Sequence, residues 1–82
     1  MNDQKTKCLV AAQIGVGYWG PNLLRNLVTN RDCHVRKVVE ISKERRDFVE
    51  NVYPSIEVIS DDRHIWNDPE IDAVVIATPV AT

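Results

Sequence analysis

The stretch Gly15-Val16-Gly17-Tyr18-Trp19-Gly20-Pro21 follows directly on a mostly apolar run, residues 8–14, and holds all three glycines of the chain. No other feature constrains the fold as strongly. One glycine suffices for a turn. Three at the spacing G-x-G-x-x-G mean that backbone, rather than side chain, has to come close to something. Pro21 suits the first turn of a helix, where its missing N–H costs nothing. The opening unit therefore reads as a buried strand, a glycine turn and a helix.

The rest of the chain repeats that alternation. Residues 8–14 form the first strand, with Gln13 as a polar exception whose partner the sequence does not identify. A helix from residue 19 or 20 to about 29 puts Leu23, Leu24, Leu27 and Val28 on one face, and Asn30 can stop it. Residues 35–40 make a second strand. Ser42 then caps a helix whose inward face is Arg45, Phe48, Val49 and Val52, closed by Tyr53-Pro54-Ser55. Residues 56–59 form a third strand, residues 61–67 a short helix around Ile65 and Trp66, and residues 73–77 a fourth strand ending at Thr78-Pro79. This β-α-β-α-β-(α)-β order predicts an α/β chain with a parallel sheet and right-handed crossovers. In the doubly wound arrangement the strand order is 3-2-1-4, and a ligand crevice opens between strands 1 and 4.

Composition narrows the function classes. At 82 residues, without an internal repeat, the chain is one domain at most. Its net charge is −2, and the cluster Arg31, Arg36, Lys37, Lys43, Arg45 and Arg46 is interrupted by Glu40, Glu44 and Asp47, which argues against a nucleic-acid partner. The opening MNDQKTK is polar and the apolar run after it is short, so neither a signal peptide nor a membrane span is expected. Cys8 and Cys33 lack a metal spacing and read as reduced, buried thiols of a cytoplasmic protein. His34 and His64 do not complete a zinc site, and no metal is expected.

The glycines then acquire separate roles. Gly15 permits the sharp exit from the first strand, Gly17 removes a side chain that would block a pyrophosphate, and Gly20 lets the helix pack close to the strand. Amides at the helix start, including those of Tyr18 and Trp19, favour an anion there, while the two aromatic rings pack or line the crevice. Glu40 stands 20 residues after Gly20, at the predicted end of the second strand. A carboxylate there can accept both hydroxyls of an adenosine ribose and would repel a 2′-phosphate. At an effective dielectric near 20, two unit charges about 4 Å apart cost roughly 4 kcal/mol. NAD is therefore expected over NADP, although Arg45 and Arg46, one helical turn on, could receive a phosphate. Methyltransferases using S-adenosylmethionine share a glycine loop and a strand-end acid, but usually lack the third glycine and bind no pyrophosphate.

GVGYWGPNLLRNL, the acid in VVEIS and the run DPEIDAVVIATPV together resemble the glucose-fructose oxidoreductase, inositol dehydrogenase and rhizopine-catabolism (Gfo/Idh/MocA) family. GYWGPN is closest in flavour to its branch acting on nucleotide-linked amino sugars and their uronates. The resemblance covers residues 8–82. It implies a Rossmann domain followed by a sheet-rich second domain, and NAD(P)-dependent hydride transfer at a sugar or polyol carbon. Gly15, Gly17, Tyr18, Trp19 and Gly20 match the family's pyrophosphate loop. Glu40 matches its ribose acid, Ser42 an adenosine-side contact, and Thr78 and Pro79 the turn near the nicotinamide. Arg45 is a further candidate on the adenosine side. The family pattern continues with a histidine and then a Glu-Lys-Pro motif whose lysine transfers the proton; the chain ends at Thr82 before either, so no catalytic residue is assigned.

Residues 1–82 thus read as the amino-terminal part of a dinucleotide-binding domain, a partial Rossmann sheet with the second domain absent. Its expected function is to hold the cofactor of an oxidoreductase acting on a sugar, nucleotide sugar or polyol. The alternatives are a non-catalytic dinucleotide-binding module and a truncated remnant. The fourth strand would be an apolar, unpaired edge, which predicts self-association as a homo-oligomer.

Overall fold

A computed structural model describes residues 8–17 and 20–77. The elements run β1 (Leu9–Ile14), α1 (Gly20–Thr29), β2 (Cys33–Val39), α2 (Lys43–Val52), β3 (Glu57–Ile59), α3 (Arg63–Trp66) and β4 (Ala73–Ile76). All strand pairs are parallel, and the sheet order is β3-β2-β1-β4, as the alternation of elements predicts.

Each face of the sheet has its own core. On one, Val16, Leu24, Val35, Val38, Val49 and Ile56 cluster, so α1 and α2 lie on the same side. On the other, Ala12, Val39 and Ile65 of α3 pack together with Ile14, Ile59, Ile71 and Val74 around them. Right-handed crossovers produce this division: the chain steps outward from β1 to β3 over one face, then returns to β4 over the opposite one.

The local signals act as their chemistry requires. The Ser42 hydroxyl accepts the Arg45 N–H at 3.3 Å to cap α2, and Tyr53 closes that helix by donating its N–H to the Val49 carbonyl at 2.7 Å, just before Pro54. After α1, the Asn30 side chain accepts the Asp32 N–H at 2.8 Å and turns the chain toward β2.

Three expectations need correction. Of the face expected to pack on α2, only Val49 is fully buried; Phe48 and Val52 stay exposed, because the sheet under that helix ends in a strand of three residues. Trp66 turns outward, its indole N–H donating to Asp62 Oδ2 at 2.9 Å, and Ile65 alone anchors α3. The cysteines are not both buried: Cys8 is exposed ahead of β1, and Cys33 is half-buried at the start of β2, at the edge of the core that α1 and α2 cover. What burial Cys33 has, followed by the proximity of Cys8, pushes its thiol pKa up, which keeps it protonated.

The β1–β2 register slips by one residue between Ala11 and Ala12, whose partners are Val35 and Lys37, leaving Arg36 with no counterpart. In a bulge of this kind two consecutive side chains share a face. Arg36 and Lys37 do so: Arg36 Nε and Lys37 Nζ both meet Oδ2 of Asp68, at 2.7 and 3.1 Å. Val35 and Val38 accordingly fall together on the α1–α2 side although they are three positions apart.

Candidate functional site

The glycine loop leaves the sheet at the end of β1, whose neighbours are β2 and the edge strand β4. The Gly15 N–H donates to the Val39 carbonyl at 2.7 Å, and the Ala77 N–H to the Ile14 carbonyl at 2.8 Å. The loop therefore stands at the carboxyl ends of β1, β2 and β4, where the strand order reverses. Gly15 has φ of 96°, a conformation that costs an L side chain roughly 1–2 kcal/mol. At Gly20 a Cβ would meet the Gly15 carbonyl oxygen at 3.1 Å and Gln13 Nε2 at 3.5 Å, so α1 begins tight against the strand exit. At Gly17 a Cβ would meet nothing within 4 Å. The first and third glycines are thus required by the fold, while the second faces open space.

Gln13 is the residue the sequence left without an account. Its side chain is fully buried, and its Nε2 donates to the Gly15 carbonyl at 2.9 Å and the Gly20 carbonyl at 3.1 Å. It spans the loop from below. Among the described residues, its Oε1 has no partner. An unsatisfied buried acceptor costs about 1–3 kcal/mol, so this glutamine is kept for what its two donors hold. A polar residue inside an otherwise apolar strand, two positions before a glycine turn, was the available signal.

Glu40 follows directly on β2 and is 8% exposed. Its Oε1 accepts the Val16 N–H at 2.6 Å and its Oε2 the Ser42 N–H at 2.9 Å. Carboxylate oxygens have lone pairs beyond these two bonds, so the acid can still accept from a ligand. Arg46 donates to the carbonyls of Glu40 and Ile41, at 2.9 and 2.7 Å, which commits it to the backbone of the strand end. Arg45 is exposed, on the next turn from Ser42. Ile41, which no motif marks, is 84% exposed immediately after Glu40 and offers an apolar surface to a flat heterocycle. The structure therefore brings Gly15, Gly17, Gly20, Glu40 and Ser42 together, with Arg45 at the margin. Tyr18, Trp19, Thr78 and Pro79 lie outside the described residues.

The other charged cluster is structural. Asp68, with its side chain 7% exposed, is held well below the usual carboxylate range by the Arg36 guanidinium, then by the Glu70 N–H and Lys37. A cavity of about 450 Å³ lies beside this cluster, and another of about 240 Å³ lies among Val35, Tyr53 and Ile56. Neither touches the loop. No group of metal-ligating side chains, and no helix long and apolar enough to cross a membrane, occurs among the described residues.

Residues 9–82 match the model of the oxidoreductase family with an NAD-binding Rossmann fold (GFO_IDH_MocA). The chain belongs to this family. The parallel sheet in the order 3-2-1-4 is the Rossmann arrangement that this family description names. The chain is 33% identical over 66 residues to the uncharacterized oxidoreductase YdgJ of Escherichia coli (strain K12), which covers 80% of this chain and 18% of that protein. Apo scyllo-inositol dehydrogenase from Lactobacillus casei superposes with a TM-score of 0.78 at 21% identity, over 90% of this chain and 22% of that one. An NAD-binding protein from Listeria innocua gives 0.77 at 23% identity, over 89% and 21%. At these identities the two structures establish the fold. The chain spans about a fifth of the length of each relative.

Proposed function

We propose that this chain is the cofactor-holding part of an oxidoreductase that moves a hydride between a nicotinamide dinucleotide and a hydroxyl carbon of a sugar, nucleotide sugar or polyol. The carrying observation is the contrast among the glycines. Two are required by backbone geometry or packing, whereas Gly17 opens onto free space at the carboxyl ends of the strands. A loop that served only its own fold would not need that second glycine. The residues fit the group: Gly17 with the amides at the start of α1 suits a pyrophosphate, and Glu40 suits a ribose. Ile41 and Ser42 stand beside Glu40 for the adenosine, with Arg45 further out. Tyr18 and Trp19 complete the loop in this reading, and Thr78 and Pro79 belong to the nicotinamide side. When bound, the nicotinamide supplies the site that gives or takes the hydride.

The preference is for NAD over NADP, because Glu40 is anchored by two backbone donors and cannot easily swing away from a 2′-phosphate. Arg46, which could have offset that repulsion, is occupied by carbonyls. The GYWGPN loop supports a nucleotide-sugar substrate, while the polyol named for the Lactobacillus casei enzyme supports the wider class. Among the described residues β4 is unpaired on its outer side, and there a further strand or a second copy would add; the free cysteines suit a cytoplasmic protein. Titration with NADH and with NADPH, followed by fluorescence, tests the reading. NADH should bind the more tightly. Equal affinities would remove the role given to Glu40, and no binding of either would remove the proposal.

A further inference from the structure

We propose that Gln13 is a positioning residue for the dinucleotide site: through the Gly15–Val16 peptide it aims the Val16 N–H at Glu40, and so sets where the ribose-facing carboxylate stands. This rests on the reading of the loop as a dinucleotide site.

A trans peptide unit is planar, with its C=O and N–H pointing in opposite directions. The unit joining Gly15 to Val16 is gripped at both ends. Its oxygen accepts from Gln13 Nε2 at 2.9 Å, and its N–H donates to Glu40 Oε1 at 2.6 Å. Rotation of that plane breaks both bonds at once, so the two side chains are coupled through a single rigid group. The coupling matters most here because glycine resists rotation least, and Gly15 already sits at φ of 96°.

Gln13 is suited to the task by its donor count. One NH₂ group carries two hydrogens, and here they reach the Gly15 and Gly20 carbonyls, the two ends of the glycine motif. Turning the amide over would set an oxygen against two oxygens, so its orientation is determined. Glutamate would lack the donors, methionine would match the length without them, and asparagine would fall short by a methylene. On the far side, Glu40 has one other described anchor, the Ser42 N–H at 2.9 Å. Without the Val16 N–H the carboxylate would pivot about that second bond.

The test is a cycle of Gln13→Met, Glu40→Gln and the double variant, with NADH and NADPH affinities measured for each. Gln13→Met should weaken NADH binding about tenfold, the worth of roughly one hydrogen bond, while NADPH binding changes little, so discrimination shrinks. In the Glu40→Gln background the same change should alter neither affinity further. Equal weakening toward both cofactors, or additive effects, would mean that Gln13 merely supports the fold and would overturn the proposal. Should Gln13→Met not fold, the side-chain amide resonances of Gln13 in ¹⁵N-labelled protein decide the matter: they should shift on Glu40→Gln, and resonances that stay put would overturn it. A wild-type chain that binds no NADH refutes the functional reading instead, whereas a wild type that binds while Gln13→Met discriminates equally well refutes this inference alone.

Discussion

The carboxylate of Glu40 accepts the amide N–H of Val16 at 2.6 Å, fastening the acid that follows β2 to the loop that follows β1. Two kinds of variant separate its charge from its grip. Glu40→Gln removes the charge and presents an NH₂ to one of two backbone donors; NADPH should gain on NADH by about tenfold or more, given the roughly 4 kcal/mol repulsion available at close range. Glu40→Asp keeps the charge but cannot span both anchors, so it should keep the NAD preference while losing about 1 kcal/mol of stability. Parallel titrations with the two cofactors and urea unfolding read both effects.

Gly17→Val should leave the fold nearly untouched and abolish NADH binding. A side chain at that position meets nothing within 4 Å in the free protein, so unfolding free energy should change by no more than about 0.5 kcal/mol. Thermal unfolding with and without NADH is the measurement. A variant that melts like wild type, yet is still stabilised by NADH, would remove the phosphate-loop argument.

Gly20→Val should behave in the opposite way. Its Cβ would meet the Gly15 carbonyl oxygen at 3.1 Å, and that oxygen is already held by Gln13. Overpacking of this kind costs about 1–3 kcal/mol, so the variant should unfold at lower urea whether or not cofactor is present.

Acid should weaken the fold through Asp68. In the native chain the Arg36 guanidinium, the Glu70 N–H and Lys37 hold its carboxyl well below the usual range, so the unfolded state takes up the proton first as pH falls. Its contribution is complete above about pH 5 and declines as pH drops through 4 and lower. Asp61 is lowered in the same sense by Arg63, but that pair is exposed and contributes little. Urea midpoints at pH 7, 5 and 3 should fall steadily for the wild type. Asp68→Asn should start lower and fall less.

The seven elements and the strand order were legible because each rests on a local signal: the glycine turn with Pro21, the Ser42 cap, Tyr53-Pro54 and the β-branched run of β4. The candidate site was legible as a list of positions, since Gly17 and Glu40 are marked by spacing. What the sequence could not carry is contact between non-neighbours. Gln13 looks like an exception in an apolar strand until Gly20 is seen to return over it. The outward turn of Phe48, Val52 and Trp66 depends on how little sheet lies beneath them, which periodicity does not report.

The odd residue in β2 lies upstream of Glu40 without displacing it. Side chains alternate along a strand, so one extra residue would turn everything after it to the other face unless the strand absorbs it. Arg36 is that extra residue, and because it shares a face with Lys37 the bulge absorbs it, so that Glu40, four residues downstream, still faces the loop. Deleting Arg36 would restore plain alternation and leave Glu40 on the same face. The surplus is spent wholly on the Asp68 cluster, and the acid beside the glycine loop does not depend on it.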